Sequence, residues 1–261
     1  MELLTYLLTG AIAGLMAGLL GIGGGLVIVP VLAFVFAGQG FAADSIMHFA
    51  VGTSLATIVL TSLSSLLAHH RRGSVLWAVV RPMVPGIVLG ALAGAWLARQ
   101  VSSPGLATLF GVFEILVALQ LLWGRQPAAH RGLPGRTGLG VAGGVIGTVS
   151  AVLGIGGGTL TVPLLLWNRV DIRAAVGTAA ACGLPIAFAG SAGFAMSAGV
   201  DPVPGPHTGF LYWPAVGGIA ITSVLLAPPG ARLVHYLPRQ TLQRVFAMLL
   251  VIVGVKMVLG S

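Results

Sequence analysis

One short run of residues occurs twice, and it constrains the fold more than anything else in the chain. Leu20-Gly21-Ile22-Gly23-Gly24-Gly25, followed by Val29-Pro30, returns as Leu153-Gly154-Ile155-Gly156-Gly157-Gly158 with Val162-Pro163. The echo continues in Ala50-Val51-Gly52-Thr53 against Ala175-Val176-Gly177-Thr178. Further on, Trp77, Gly94, Leu97, Leu106 and Phe110 match Trp213, Gly230, Leu233, Leu242 and Phe246 at one constant offset. The chain therefore reads as a tandem duplication, with repeats at 1–124 and 137–261 and an Arg-, Pro- and Gly-rich linker at 125–136 on the cytoplasmic side.

Each glycine run interrupts a stretch without charge. Leu3 to Ala43 and Thr137 to Asn168 hold no Asp, Glu, Lys or Arg, nor do Ser45 to His70, Ala174 to Val200 and Pro202 to Ala231. Charged residues make up 7% of the 261, against about 25% in a soluble domain, so a water-soluble fold is excluded. A spanning helix needs about 20 apolar residues, and the chain supplies several. The pattern predicts in each half one glycine-interrupted segment, at 3–37 and 137–167, and three ordinary helices. These fall at 46–68, 75–98 and 104–123, then at 173–198, 209–233 and 241–259. As one straight helix the first segment would be about 50 Å long, against a hydrocarbon core of about 30 Å. It must break, and the glycines mark the place.

Charge placement indicates what the break does. With eight single crossings, the 13 Lys and Arg residues split seven to six between the two sides. If each broken segment instead enters and returns on one side, Arg71, Arg72, Arg81, Arg125, Arg131, Arg136, Arg169, Arg173, Arg232, Arg239 and Arg244 share a side. Only Arg99 and Lys256 remain opposite. The positive-inside rule favours this second arrangement. The expected fold is an all-α polytopic membrane protein of two inverted repeats, each a glycine-broken re-entrant segment plus three transmembrane helices. Inverted repeats with broken helices recur in secondary transporters, whose substrate sites lie near the midplane at the breaks. The net charge of +8 comes from bases scattered between apolar segments, which are membrane anchors and not a nucleic-acid face.

The paired Gly-Ile-Gly-Gly-Gly-x-x-x-x-Pro segments, each followed by Ala-Val-Gly-Thr, make the chain resemble the TauE/SafE (sulfite exporter) family of membrane permeases over nearly its whole length. The resemblance implies transport of small sulfur-containing anions, such as sulfite or organosulfonates, across the bacterial inner (plasma) membrane by a multi-pass protein. The expected partners are a small anionic substrate and the lipid bilayer, without a cofactor or metal. The lone Cys182 leaves no cysteine cluster for zinc.

The candidate substrate-binding residues are Gly21, Gly23, Gly24 and Gly25 with Gly154, Gly156, Gly157 and Gly158. Unwound backbone at membrane depth survives only where protein or a water-filled cavity satisfies it. Glycine lets amides approach a ligand, and a half-helix starting after the loop aims its positive end there. Two such ends meeting would hold an anion. Packing alone accounts for the four-residue spacings of Gly10, Gly14 and Gly18 and of Gly86, Gly90 and Gly94. It does not account for three consecutive glycines before a half-helix, twice. Thr53, Ser54 and Thr178 begin the next helices, where their hydroxyls could serve either an anion or their own backbone. Thr57, Thr61, Ser62, Ser64 and Ser65 are read as packing.

Glu114 is the only acid inside a spanning segment. It is a candidate for proton coupling or a structural, hydrogen-bonded carboxyl, and its repeat mate is Leu250. His48, His69 and His70 fall at helix ends as interfacial anchors. An ion channel or cation/metal carrier would display rings of acids or carbonyls, and an intramembrane enzyme would cluster its reactive groups at one depth. Five acids in the whole chain argue against both. The reading is a secondary transporter, not an enzyme, working by alternating access with the anion at the two helix breaks.

Overall fold

The computed structural model describes residues 2–20, 24–123, 132–197, 203, 205–233 and 239–260. Among these the first repeat forms α1 (Glu2–Leu20), α2 (Gly25–Gly38), α3 (Ile46–Arg71), α4 (Trp77–Ala98) and α5 (Ser103–Trp123). The second forms α6 (Arg136–Leu153), α7 (Gly158–Trp167), α8 (Ile172–Ala195), α9 (Trp213–Leu233) and α10 (Arg239–Leu259). Both long apolar segments break at their glycines, α1 from α2 and α6 from α7. One expected helix starts late. Residues 207–212 form a small antiparallel hairpin, β1 (His207–Thr208) with β2 (Leu211–Tyr212), instead of the first turn of α9. Pro206 precedes it, Gly209 turns it with φ 54°, and the Trp213 amide closes it onto the Pro206 carbonyl at 3.2 Å.

The distribution of polarity is that of a protein in lipid. Leu89, Val141, Phe188, Leu225 and Ile252 lie on the outside, each between 66% and 70% exposed. Thr53, Ser54, Thr57, Glu114, Ser150, Thr161 and Thr178 are wholly buried. A soluble chain would reverse this. Among the described residues five helices, α3, α4, α5, α6 and α8, are long and apolar enough to cross a bilayer, and the chain is a multi-pass membrane protein.

Small residues set how the helices pair. Gly86, Gly90 and Gly94 of α4 face Gly140, Gly144 and Thr148 of α6 in ascending order, so these two helices run parallel with their backbones in contact. Gly10 and Gly14 of α1 face Ile219 and Ser223 of α9 in the same sense, and Thr222 Oγ1 donates to the Leu7 carbonyl at 2.8 Å across that seam. A Cβ on Gly86, Gly90, Gly94, Gly10 or Gly14 would overlap the backbone of the facing helix, which is the close approach that small-xxx-small spacing permits. In contrast α3 and α8 run antiparallel, with Gly52 against Phe194 and Gly190 against Leu55. So do α5 and α10, where Gly111 meets Gly254 and Met257 while Gly254 meets Ile115. Each of these four pairings joins one repeat to the other. The pattern also survives exchange of the halves, since α4 packs on α6 and α8 as α9 packs on α1 and α3.

Candidate functional site

The two breaks adopt the same local conformation. Gly24 (φ 54°) and Gly157 (φ 73°) are left-handed N-caps, which glycine adopts without strain. The Val27 and Ile28 amides both converge on the Gly24 carbonyl at 3.0 Å, and Leu160 and Thr161 converge on that of Gly157 at 3.1 and 2.8 Å. Each N-cap glycine lies close to the helix that precedes its break. A Cβ on Gly24 would sit 3.4 Å from Ala13 Cβ, and one on Gly157 would sit 3.5 Å from Ser150 Oγ and 3.6 Å from Ile146 Cγ2.

The breaks touch each other. A Cβ on Gly25 would lie 2.6 Å from the Gly154 carbonyl oxygen and 2.9 Å from Ile155 Cα, so α2 begins directly against the second loop. Gly154 (φ 69°) closes α6 and is pinned by Ser54 of α3, whose Oγ donates to its carbonyl at 2.8 Å. The Gly156 carbonyl lies under Gly183 of α8. Gly21 and Gly23 lie outside the described residues. Gly24, Gly25, Gly154, Gly156, Gly157 and Gly158 are gathered at one place in the middle of the bundle.

Thr53 and Thr178 are not at that place. Thr53 Oγ1 accepts the Tyr212 amide, and Thr178 Oγ1 accepts the Leu76 amide, each at 3.0 Å. Both hydroxyls hold the opposite repeat, and Ser54 holds the second break, so all three are engaged with backbone in this conformation.

A cavity of about 70 Å³ leads to the second break. One water needs roughly 10–15 Å³ by a comparable measure, so there is room for a small polyatomic ion or several waters. Its inner end is Gly156, Gly158 and Gly183; its wall includes Thr61, Ser62, Ser64 and Ser65 of α3; its mouth carries His69 and Arg72. The α3 hydroxyls read from sequence as packing thus face a cavity, which spacing on one helix does not reveal. Sealing the opposite end of the bundle is an aromatic cluster. Phe36 stacks on Phe41 at 4.4 Å between centroids, and Phe49 and Tyr212 meet both rings edge-on. His48 and Phe210 continue it, 5.1 Å apart.

Residues 6–257 match the family described as sulfite exporter TauE/SafE. The chain belongs to this family. A relative named probable membrane transporter protein, from Haemophilus influenzae, is 34% identical over 98% of both chains. One from Bacillus subtilis with the same description is 31% identical over 64% of this chain and 68% of its own. A third, from Methanocaldococcus jannaschii, is 29% identical over 65% of this chain and 64% of its own. No solved structure matches.

For a TauE/SafE transporter the remaining polar groups of the interior are the ones to examine. Glu114 is wholly buried where α5 meets α10, its Cβ 3.3 Å from where a Gly254 Cβ would be, and neither carboxyl oxygen has a hydrogen-bond partner among the described residues. It does not share the cavity. Cationic groups on the helices around it sit elsewhere: Lys256 of α10 lies over the Phe34 ring at 4.1 Å, and His48 of α3 meets the Ala98 and Val101 carbonyls at 3.2 and 3.1 Å. Sequence reasoning passed over three further residues, Ser150, Thr159 and Thr161. Their hydroxyls are buried at the second break with no partner among the described residues. The signal was available in the duplication itself, because the aligned positions of the first repeat are Ala17, Leu26 and Ile28.

Proposed function

We propose that this TauE/SafE protein is a secondary transporter of a small anion, sulfite or an organosulfonate, which it holds where the two glycine breaks meet and exposes to one side of the membrane at a time. The observation that carries the reading is the contact of the breaks: α2 starts at Gly25 directly against Gly154 and Ile155, which close α6 ahead of the left-handed start of α7, and Gly156 and Gly158 of that second break end a cavity with a cationic mouth. A helix start offers free amides and a positive dipole end to an anion.

The proposed topology is a pair of inverted repeats. The equivalent helices α3 and α8 are antiparallel, as are α5 and α10. Because α1 is parallel to α9 and α6 to α4, each repeat's first and third helices start from the same end of the bundle, with the half-helix returning between them. That arrangement collects eleven of the 13 bases at the end where the cavity opens, which the positive-inside rule makes the cytoplasmic end. The conformation is then inward-open, closed outside by the Phe36, Phe41, Phe49 and Tyr212 cluster. Export of an anion down an inside-negative potential gains about 2.3 kcal/mol per charge per 100 mV. Glu114, with two unpartnered oxygens beside the α5–α10 contact, is the proposed proton-coupling group, loading as the anion binds.

Flux into or out of proteoliposomes of the purified protein, measured for sulfite, sulfate, a sulfonate, chloride and a divalent cation side by side, tests the reading. Sulfite or the sulfonate should move fastest. Transport confined to the cation, or none at all, overturns it.

A further inference from the structure

The third helices of the two repeats, α3 and α8, differ in the face they turn to the interior. On α3, Thr61, Ser62, Ser64, Ser65, His69 and Arg72 all border the one cavity. Their spacings of three and four residues put them on one face, so they form a polar stripe from the second break to the cavity mouth. At its inner end Ser62 meets the break: its Cβ and the Gly156 carbonyl oxygen lie 3.8 and 2.8 Å from where a Gly183 Cβ would be. The copy of this stripe on α8, at the offset that aligns Thr53 with Thr178, is Ile186, Ala187, Ala189, Gly190, Phe194 and Ser197. It holds no charge and a single hydroxyl. Where α3 has His69, α8 has Phe194, which is wholly buried and closes against Gly52 and the Phe210 ring.

The α3 stripe has hydrogen bonds to give. The Thr61 and Ser62 hydroxyls donate back to the Ile58 and Val59 carbonyls at 3.2 and 3.3 Å, long bonds that are weaker than one to a charged oxygen. His69 Nδ1 lies 3.2 Å from Ser74 Oγ, whose proton goes to the His69 carbonyl at 3.0 Å, and this holds the ring at the mouth. Arg72 is exposed beside it, and no acid is among the residues that line the cavity. The facing wall is Val176, Ala179 and Ala180 of α8. A cleft with charge of one sign and low-dielectric walls concentrates the counter-ion.

Resting on the anion-transport reading above, we infer that the α3 stripe is a capture site for the oxyanion on the cytoplasmic side, separate from the site at the breaks. Arg72 with His69 takes the anion from solution, and the Ser65 and Ser62 hydroxyls pass it inward to Gly156 and Gly158. The α8 copy of the stripe, which borders the route when the repeats exchange conformations, has no such site. The anion is therefore held more tightly from the cytoplasmic face than from the outer one.

The test is uptake of labelled sulfite by membrane vesicles of both orientations from cells making the full chain, corrected for vesicles that lack it and for the amount of protein in each. In wild type the half-saturating concentration should be lower for inside-out vesicles, which present the cytoplasmic face, than for right-side-out ones. Arg72→Gln should raise the inside-out value about fivefold at low salt, less as salt rises, and narrow the difference between the faces. Arg72→Lys should keep most of the wild-type affinity. Arg71→Gln removes the same charge from the same helix end, but Arg71 does not line the cavity, and this variant should match wild type. Wild-type vesicles that move no anion overturn the transport reading and this assignment together. A wild type that moves sulfite with equal half-saturation from the two faces, or Arg71→Gln and Arg72→Gln shifted alike, overturns this assignment alone.

Discussion

Thr53 Oγ1 accepts the backbone N–H of Tyr212 at 3.0 Å across 159 residues of sequence, and its copy Thr178 accepts that of Leu76 at the same distance. The preceding residue completes each joint. A Cβ on Gly52 would lie 2.6 Å from the Phe210 carbonyl oxygen, and one on Gly177 would lie 2.6 Å from that of Ser74. The twice-repeated Ala-Val-Gly-Thr is therefore a pair of clasps, one at each end of the bundle. Each fastens the third helix of one repeat to the loop that starts the fourth helix of the other.

Replacing Thr53 or Thr178 by the isosteric Val leaves the buried Tyr212 amide or the half-buried Leu76 amide without its acceptor, which costs about 1–3 kcal/mol for a fully buried group and less for Leu76. The melting temperature of the protein in detergent should fall for each, and Ser at either position should recover most of the loss. An unchanged melting temperature for both Val variants would remove the clasp from the list of stabilising contacts.

Gly25→Ala pushes a methyl group onto the Gly154 carbonyl oxygen and Ile155 Cα, both backbone atoms with no rotamer to yield. Overpacking of this kind destabilises by roughly 1–3 kcal/mol and separates the two breaks. Sulfite flux should drop sharply, whereas Gly38→Ala, with nothing within 4 Å of the new methyl, should transport like wild type. Equal flux in the two variants would show that the contact between breaks is dispensable.

The proposed inverted topology has both chain termini outside the cytoplasm. A reporter active only in the periplasm, fused after Ser261, should be active. A cytoplasmic reading would require eight crossings and parallel repeats.

Glu114→Gln keeps the shape and hydrogen-bonding capacity of the protonated carboxyl but cannot release a proton. If Glu114 loads its proton as the anion binds, the wild-type flux rises as pH falls, and the variant should bind sulfite yet show flux nearly independent of pH. A pH profile identical to that of wild type would leave Glu114 a structural residue and the membrane potential as the driving force.

The breaks between α1 and α2 and between α6 and α7 were legible because apolar segments of 35 and 31 residues are too long for a bilayer and offer a glycine run at one place. Helix positions were legible from length and charge, save for 207–212, where a Pro- and Gly-bounded turn displaced the first turn of α9. Partners were not. Thr53 and Ser54 are adjacent, yet one reaches Tyr212 and the other Gly154, and nothing local distinguishes them. Ser150, Thr159 and Thr161 went unremarked because hydroxyls in membrane helices ordinarily bond one turn back on their own backbone; only their failure to do so sets them apart.

The glycine seams decide what a moving part can be. Where α1 lies on α9 and α6 on α4, backbone touches backbone, with only small side chains such as Thr222 and Ala151 between them to rearrange as one helix slides past the other. Rocking residues 1–124 as a block against 137–261 would tear both seams. Bodies that keep these seams whole combine α1 with α9 and α6 with α4, so the linker at 125–136 is not where such bodies divide. A fragment ending at residue 124 would carry Gly10 and Gly14 with nothing to close against, and the two fragments, expressed together, would have to interlace to fold at all.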